Sequence, residues 1–329
     1  METPNKTKRA FLFPGQGAQK VGMGKDLYDQ YEVARKIYDR AEKISGMPIK
    51  QMCFEGPEEL LNKTENTQMA IFITSLAELE VLKQKGISAD IAVGLSLGEY
   101  TALVYAGIIS FEDGVKLIQK RGYYMGNLVP NEEFSMAAVI GLESSKIEEI
   151  CNQISGFVVP ANYNYSKQTV ISGNTLAVDE AIEKLKQAGA GRVVKLNTSG
   201  PFHTAKLNDA KEAFAQDLQK VEFHMENIDD TGANGNVRVI KNTDGTFYKK
   251  DDNIKEILAN HIISPVRFDK AIQLMNEQGI EEFVEVGPGN ALSGFVKKEN
   301  REKGTPFSSR WKTSLSKFSL WKNSLLKKC

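Results

Sequence analysis

The stretch Ala92-Val93-Gly94-Leu95-Ser96-Leu97-Gly98-Glu99-Tyr100 restricts the fold more than any other part of the chain. It carries Gly-x-Ser-x-Gly between a short apolar run, Ile91 to Val93, and a helix-forming run, Leu97 to Ala106. A short apolar run, a tight turn and a helix together read as a strand feeding a helix in an α/β sheet. A serine on that turn is pushed out at the carboxyl end of its strand, and the flanking glycines are needed because side chains there would clash. The helix start behind Ser96 also offers free N–H groups that can hold a developing oxyanion. Gly-x-Ser-x-Gly also occurs in turns that merely cap a helix. The strand before it and the helix after it are the context in which such a serine serves as nucleophile.

The rest of the chain continues the pattern. Ala10 to Phe13 is a first strand, running into Pro14-Gly15-Gln16-Gly17-Ala18-Gln19. Glycines and a proline behind a strand make a bent loop with exposed N–H groups. A phosphate-binding loop is excluded, because there is no Gly-Lys-Ser/Thr ending and no complete Gly-x-Gly-x-x-Gly. Helical periodicity covers Asp26 to Ser45, Thr67 to Lys85 and Phe111 to about Asn127. From Ser135 the rhythm changes. Met136 to Ile140, Phe157 to Ala161, Gln168 to Ser172 and Arg192 to Leu196 read as strands; Ser144 to Ile154 and Leu176 to Ala188 read as helices. That order, β-α-β-β-α-β, is the ferredoxin-like unit, and it falls between two stretches of α/β pattern as an inserted small subdomain. Beyond it, Ala205 to Lys220, Ile254 to Ile263 and Asp269 to Gln278 read as helices. Val237 to Ile240 and Glu282 to Val286 read as strands, the second ending in Gly287-Pro288-Gly289, and Asn290 to Lys298 begins a last helix.

Composition narrows the function classes. The 329 residues, 41% hydrophobic and 26% charged, suit one large globular domain or two. Lys+Arg 42 against Asp+Glu 42 leaves no net charge, so nothing global favours nucleic acid. No apolar run approaches membrane-spanning length, and Met1 to Arg9 is too polar for a signal peptide. Cys53, Cys151 and Cys329 are far apart and form no metal spacing, which suits a reducing cytoplasm.

A serine hydroxyl needs a base. The chain has 3 histidines, His203, His224 and His261. His203 sits in a Gly-Pro loop after a strand, where functional side chains concentrate. His224 lies in an amphipathic run and reads as structural. His261 ends a helix, a place that favours a charged imidazole. Two enzymes are compatible with these positions. The order Ser, acid, His of the α/β-hydrolases would take Ser96, Asp229 or Asp230, and His261. The other pairs Ser96 with His203 and orients the imidazole through a backbone carbonyl.

Seven motifs then occur in register: Phe13-Pro14-Gly15-Gln16-Gly17-Ala18-Gln19, Gly94 to Tyr100, Arg121-Gly122-Tyr123-Tyr124-Met125, Pro160-Ala161-Asn162-Tyr163-Asn164, Gly200-Pro201-Phe202-His203, Pro265-Val266-Arg267-Phe268 and Glu285-Val286-Gly287-Pro288-Gly289. Together they resemble the malonyl-CoA:acyl carrier protein transacylases of dissociated fatty-acid synthesis, from about Lys8 to Lys298. The resemblance implies an α/β fold, an α/β-hydrolase-like core with a parallel sheet and an inserted ferredoxin-like small subdomain. The expected division is a discontinuous core over 1–127 and 199–298, the subdomain over 128–198, and an atypical basic, disordered tail over 299–329.

The resemblance also implies roles. Ser96 is the expected nucleophile and His203 the base. Backbone N–H groups of Gln16 and Leu97 form the oxyanion hole, Arg121 holds the malonyl carboxylate, and Asn162 lines the site. The arginine suits its role, since its planar fork pairs both carboxylate oxygens and keeps its proton. His261 stands where the family usually has glutamine, and its main-chain carbonyl is expected to orient the catalytic histidine. The expected partners are malonyl-CoA and the phosphopantetheine form of acyl carrier protein, in the cytoplasm, with no metal, no cofactor, no nucleic acid and no integral membrane segment. A serine thioesterase or esterase on the same scaffold, and a non-catalytic relative that binds carrier protein, are the alternatives.

Three features depart from the family. Leu95 replaces a histidine common in it, His261 replaces the glutamine, and the resemblance ends near Lys298 after an unusually long loop, Asp229 to Asn236. The tail from Arg301 carries many Lys and Arg against Glu302 alone. Trp311, Leu315, Phe318, Trp321 and Leu325 recur near helical spacing in it, as in a basic amphipathic helix at a membrane surface. The plainer reading, a disordered or altered tail, is preferred.

Overall fold

The computed structural model describes residues 7–198, 200–230, 235–304 and 312–313, so most of the expected tail and part of the Asp229 to Asn236 loop lie outside the described residues. In chain order, β1 (Arg9–Phe13) is followed by α1 (Lys25–Gln30), α2 (Glu32–Ser45), α3 (Ile49–Phe54), α4 (Glu58–Leu61) and α5 (Thr64–Gln84), then β2 (Ile91–Gly94), α6 (Gly98–Tyr105) and α7 (Phe111–Asn127). Next come β3 (Phe134–Ile140), α8 (Ser144–Asn152), β4 (Val158–Tyr165), β5 (Gln168–Asn174), α9 (Thr175–Gln187) and β6 (Arg192–Lys195). The remainder is α10 (Asn208–Leu218), β7 (Arg238–Val239), α11 (Ile254–His261), β8 (Val266–Arg267), α12 (Phe268–Glu277), β9 (Glu282–Glu285), α13 (Ala291–Glu302) and β10 (Lys312–Thr313).

One sheet has the order β10-β9-β1-β2-β7, and its pairings are all parallel. Parallel strands place their carboxyl ends on one edge, where ligands bind in α/β folds. The register aligns Phe13 with Gly94 and Leu12 with Glu285, so the Pro14–Gln19 loop, the Ser96 turn and the Gly287–Gly289 loop meet there. Alternate residues of β1 serve opposite faces. Phe11 and Phe13 pack with Phe72, Ile118 and Tyr100 on one side, while Ala10 and Leu12 pack with Phe268, Ile272 and Val296 on the other. Both faces are covered, which is why β1 and β2 read as unbroken apolar runs. Helix α5 is buried nearly all round, including Gln68, Thr74, Ser75 and Glu78, so it runs through the core instead of lying on it.

The second sheet has the order β6-β3-β5-β4-β8, antiparallel except for the β4–β8 pair. Helices α8 and α9 cover one face of it, with Ile147, Ile150, Val178 and Leu185 against Ala137, Val139 and Ile171. Four strands follow the ferredoxin-like order. The fifth, β8, comes from the segment just after α11 and pairs Val266 with Asn162, which joins this sheet to the part of the chain that carries His261.

Some sequence expectations need correction. The helix expected over Asp26 to Ser45 breaks at Tyr31, whose backbone is extended, with φ −124° and ψ 121°. The helix expected over Ala205 to Lys220 begins as a 3-10 turn, Ala205–Leu207, because the Thr204 hydroxyl accepts the Lys206 N–H, and it ends at Leu218. Helices α3 and α4 and strands β8 and β10 are not expected, each being too short to show a period. The stretch expected as a disordered tail from residue 299 holds the end of α13, to Glu302, and β10, which pairs with β9. Among the described residues no helix is long and apolar enough to cross a membrane.

Candidate active site

Ser96 sits between β2 and α6 with φ 55°, in the left-handed region. The turn closes because Gly94 and Gly98 approach backbone directly. A Cβ on Gly94 would fall inside the Gly98 carbonyl group, and one on Gly98 would run into the Phe13 carbonyl. The Ser96 N–H is held by the Asn242 Oδ1 at 2.7 Å, while the Asn242 Nδ2 donates to the Gly94 carbonyl at 2.7 Å. Both ends of the turn are thereby pinned to one side chain from the segment after β7.

The Ser96 Oγ lies 2.8 Å from the His203 Nε2. His203 follows the Gly200-Pro201-Phe202 loop with φ 59°, and the loop is tied by the Thr204 hydroxyl donating to the Pro201 carbonyl at 2.7 Å. Its Nδ1 lies 2.9 Å from the His261 carbonyl oxygen and 3.2 Å from that of Ser264. Carbonyls only accept, so Nδ1 carries the proton and the neutral ring presents Nε2 as acceptor to the serine hydroxyl. Burial pushes the His203 imidazole well below the ordinary histidine value; the His261 imidazole and the Arg121 guanidinium push the same way, against the two carbonyls. The ring is therefore kept free to take a proton.

Arg121, on α7, is wholly buried. Its Nη2 donates to the Ser96 Oγ at 3.0 Å and its Nη1 to the Gln68 Oε1 at 2.7 Å, while Nε has no partner among the described residues. Burial opposes the charge, and the Tyr100 and Glu99 side chains offset only part of that cost. None of the salt bridges among the described residues includes Arg121. A buried guanidinium with neutral hydrogen-bond partners gains from an incoming carboxylate.

Gln16, Ser96, Leu97, Asn162, His203 and Phe295 line one cleft of about 550 Å³, and Leu95 shares its wall. Among the described residues the N–H groups of Gln16 and Leu97 have no acceptor. They come from the ends of β1 and β2, which lie side by side. The Ser-acid-His alternative is not assembled: the His261 ring faces Glu99, with Nδ1 2.9 Å from Oε2, and Asp230 caps the Lys250 N–H. His224 lies near Glu226 on the surface. Sequence reasoning missed Gln68, hidden in an apolar helical run, and Asn242. The signal for Asn242 was its place just beyond a strand in a parallel sheet.

The chain is similar to known proteins over most of its length. Residues 10–310 match the family model of the acyl transferase domain. The chain is 39% identical over 298 residues to the malonyl CoA-acyl carrier protein transacylase of Bacillus subtilis, covering 90% of this chain and 91% of that protein. Among solved structures, it is similar to the malonyl CoA-acyl carrier protein transacylase of Clostridium perfringens, with TM-score 0.87, 40% identity and 98% of each chain covered. A malonyl-transacylase in complex with a type II polyketide-synthase acyl-carrier protein gives TM-score 0.85 at 32% identity, covering 93% of this chain and 96% of that one. The chain belongs to the acyl transferase domain family, among the malonyl CoA-acyl carrier protein transacylases.

Proposed function

We propose that the protein transfers a malonyl group from malonyl-CoA to the phosphopantetheine thiol of acyl carrier protein through a malonyl ester on Ser96, supplying fatty-acid synthesis in the cytoplasm. The observation that carries this reading is the convergence on one oxygen. The Ser96 Oγ has the His203 Nε2 at 2.8 Å and the Arg121 Nη2 at 3.0 Å.

The steps follow from those groups. His203 takes the Ser96 proton as Oγ attacks the thioester carbonyl. The oxyanion forms against the Gln16 and Leu97 N–H groups, a type of contact worth about 10²–10³ in rate per donor. The tetrahedral intermediate collapses, the C–S bond breaks, and His203 returns the proton to the coenzyme A thiolate. In the second half His203 takes the proton of the carrier thiol, the thiolate attacks the ester, and the Ser96 Oγ leaves with that proton. Arg121 pairs with the free carboxylate of the malonyl group throughout. Asn162 lines the same cleft as Ser96 and His203.

We assign residues 1–127 and 199–298 to the core that carries this chemistry and 128–198 to a subdomain that supplies Asn162. The test is to mix the protein with labelled malonyl-CoA, remove the excess, and add carrier protein. Label that stays on the protein and leaves on the carrier supports transfer. Rapid release as free malonate supports a thioesterase instead, and no label supports a binding protein without activity.

A further inference from the structure

The geometry points to Glu99 as a positioning residue that ties the Ser96 turn and the His203 ring to one buried carboxylate. This rests on the reading of Ser96 and His203 as the reacting pair. Glu99 lies in the first turn of α6, three residues after Ser96, where the helix start favours a negative charge. It is wholly buried, as is His261, and Asn242 and Tyr248 are each 2% exposed.

Each carboxylate oxygen serves one half of the pair. The Glu99 Oε1 accepts the Tyr248 hydroxyl at 2.7 Å and the Asn242 backbone N–H at 3.2 Å. Asn242 is the residue whose side chain holds the Ser96 N–H and the Gly94 carbonyl. The Glu99 Oε2 lies 2.9 Å from the His261 Nδ1, close but off the axis of a straight hydrogen bond. The His261 carbonyl is the acceptor for His203, and the two imidazole rings lie 5.2 Å apart at 31°. One side chain thus reaches both reacting residues through a single intermediary on each side. It touches neither the Ser96 Oγ nor the His203 ring.

The donors around Glu99 predict how it fails. Tyr248 and the Asn242 N–H both donate, so in Glu99→Gln the amide oxygen must stay on their side. The amide NH₂ then faces the His261 Nδ1, which must become an acceptor and move its proton to Nε2. That nitrogen is buried and has no partner among the described residues. The His261 ring is driven to shift, and its carbonyl with it. Replacing His261 by glutamine as well supplies an amide oxygen to receive that NH₂, so the double variant restores the contact.

The experiment is single-turnover acylation of Ser96 by malonyl-CoA in wild type, Glu99→Gln, His261→Gln and the double variant, each checked for folding by thermal melt. We expect Glu99→Gln to lower the acylation rate constant about 10–100-fold, the size of a small misplacement at a reacting centre, with half-saturation changed less than about twofold. The double variant should recover at least several-fold over Glu99→Gln. Additive losses, or a Glu99→Gln rate within about twofold of wild type, overturn the proposal. Should Glu99→Gln not fold, Tyr248→Phe removes one donor to the same carboxylate and keeps the ring. It should slow acylation several-fold at unchanged half-saturation, and a wild-type rate in folded Tyr248→Phe overturns the proposal equally. A wild-type protein that takes no label sinks the transferase reading; a labelled wild type with an unaffected Glu99→Gln sinks only the positioning role.

Discussion

Ser96 and His203 stand 107 residues apart in the chain, yet the Ser96 Oγ lies 2.8 Å from the His203 Nε2 and both residues have positive φ, 55° and 59°. Among the described residues they are the two that do so without being glycine. Backbone held in that region costs about 1–3 kcal/mol per residue and persists only where the surroundings impose it. Here the imposing groups are Asn242 around Ser96 and the Pro201–Thr204 loop around His203.

The first prediction separates the two histidines. His203→Ala should lower Ser96 acylation by about 10²–10⁴, the usual contribution of a general base. His261→Gln keeps the main-chain carbonyl and a side-chain donor toward Glu99, so its loss should be smaller by at least about tenfold. Single-turnover labelling of both variants decides it, and the reverse order would make His261 the base.

The second concerns pH. Burial, helped by His261 and Arg121, holds His203 below the ordinary value of 6.5. A depressed value keeps the ring neutral, and so able to accept a proton, as pH falls. The acid limb of kcat/KM, which reports the free enzyme, should therefore lie below pH 6.5. The same shift has a stability side. The unfolded chain binds the proton more readily, so this residue's contribution is complete above 6.5 and is lost as pH falls below it. A limb at or above the ordinary value would contradict the dominance of burial over the two carbonyls at Nδ1.

The third concerns substrate class. Arg121→Ala should weaken malonyl transfer strongly and leave acetyl transfer equal or better. Losing the charged partner of a desolvated carboxylate costs about 2–5 kcal/mol, or roughly 30-fold to several thousand-fold in rate. Parallel assays with malonyl-CoA and acetyl-CoA check it, and equal loss on both substrates would remove Arg121 from the carboxylate.

The fourth concerns the turn itself. Gly98→Ala places a methyl group against the Phe13 and Pro14 carbonyls, which lie in backbone and cannot swing aside. The expected destabilisation is about 1–3 kcal/mol, typical of overpacking, together with slower acylation because the Ser96 turn must open. Urea titration measures the first and labelling the second.

The sequence and the structure agree most closely where function depends on local order. Gly94, Ser96 and Gly98 announce the turn because strand, turn and helix are consecutive. His203 could be favoured over His224 because its loop follows a strand, and β-α-β-β-α-β is a local succession. What stayed hidden is non-local. Asn242 lies 146 residues from Ser96 and reaches it only because β7 pairs with β2. The Glu99–His261 contact depends on α11 ending beside α6, which no periodicity encodes. β8 is two residues long, and its partner β4 is a strand in a different sheet from β1 and β2.

The central claim is a malonyl ester on Ser96, and peptide mass spectrometry after brief mixing with malonyl-CoA and acid quench tests it most directly. The account predicts one malonyl group on the peptide containing Ser96, absent from Ser96→Ala and removed when carrier protein is added before the quench. A wild-type Ser96 peptide that stays unmodified while malonyl-CoA is consumed would contradict it.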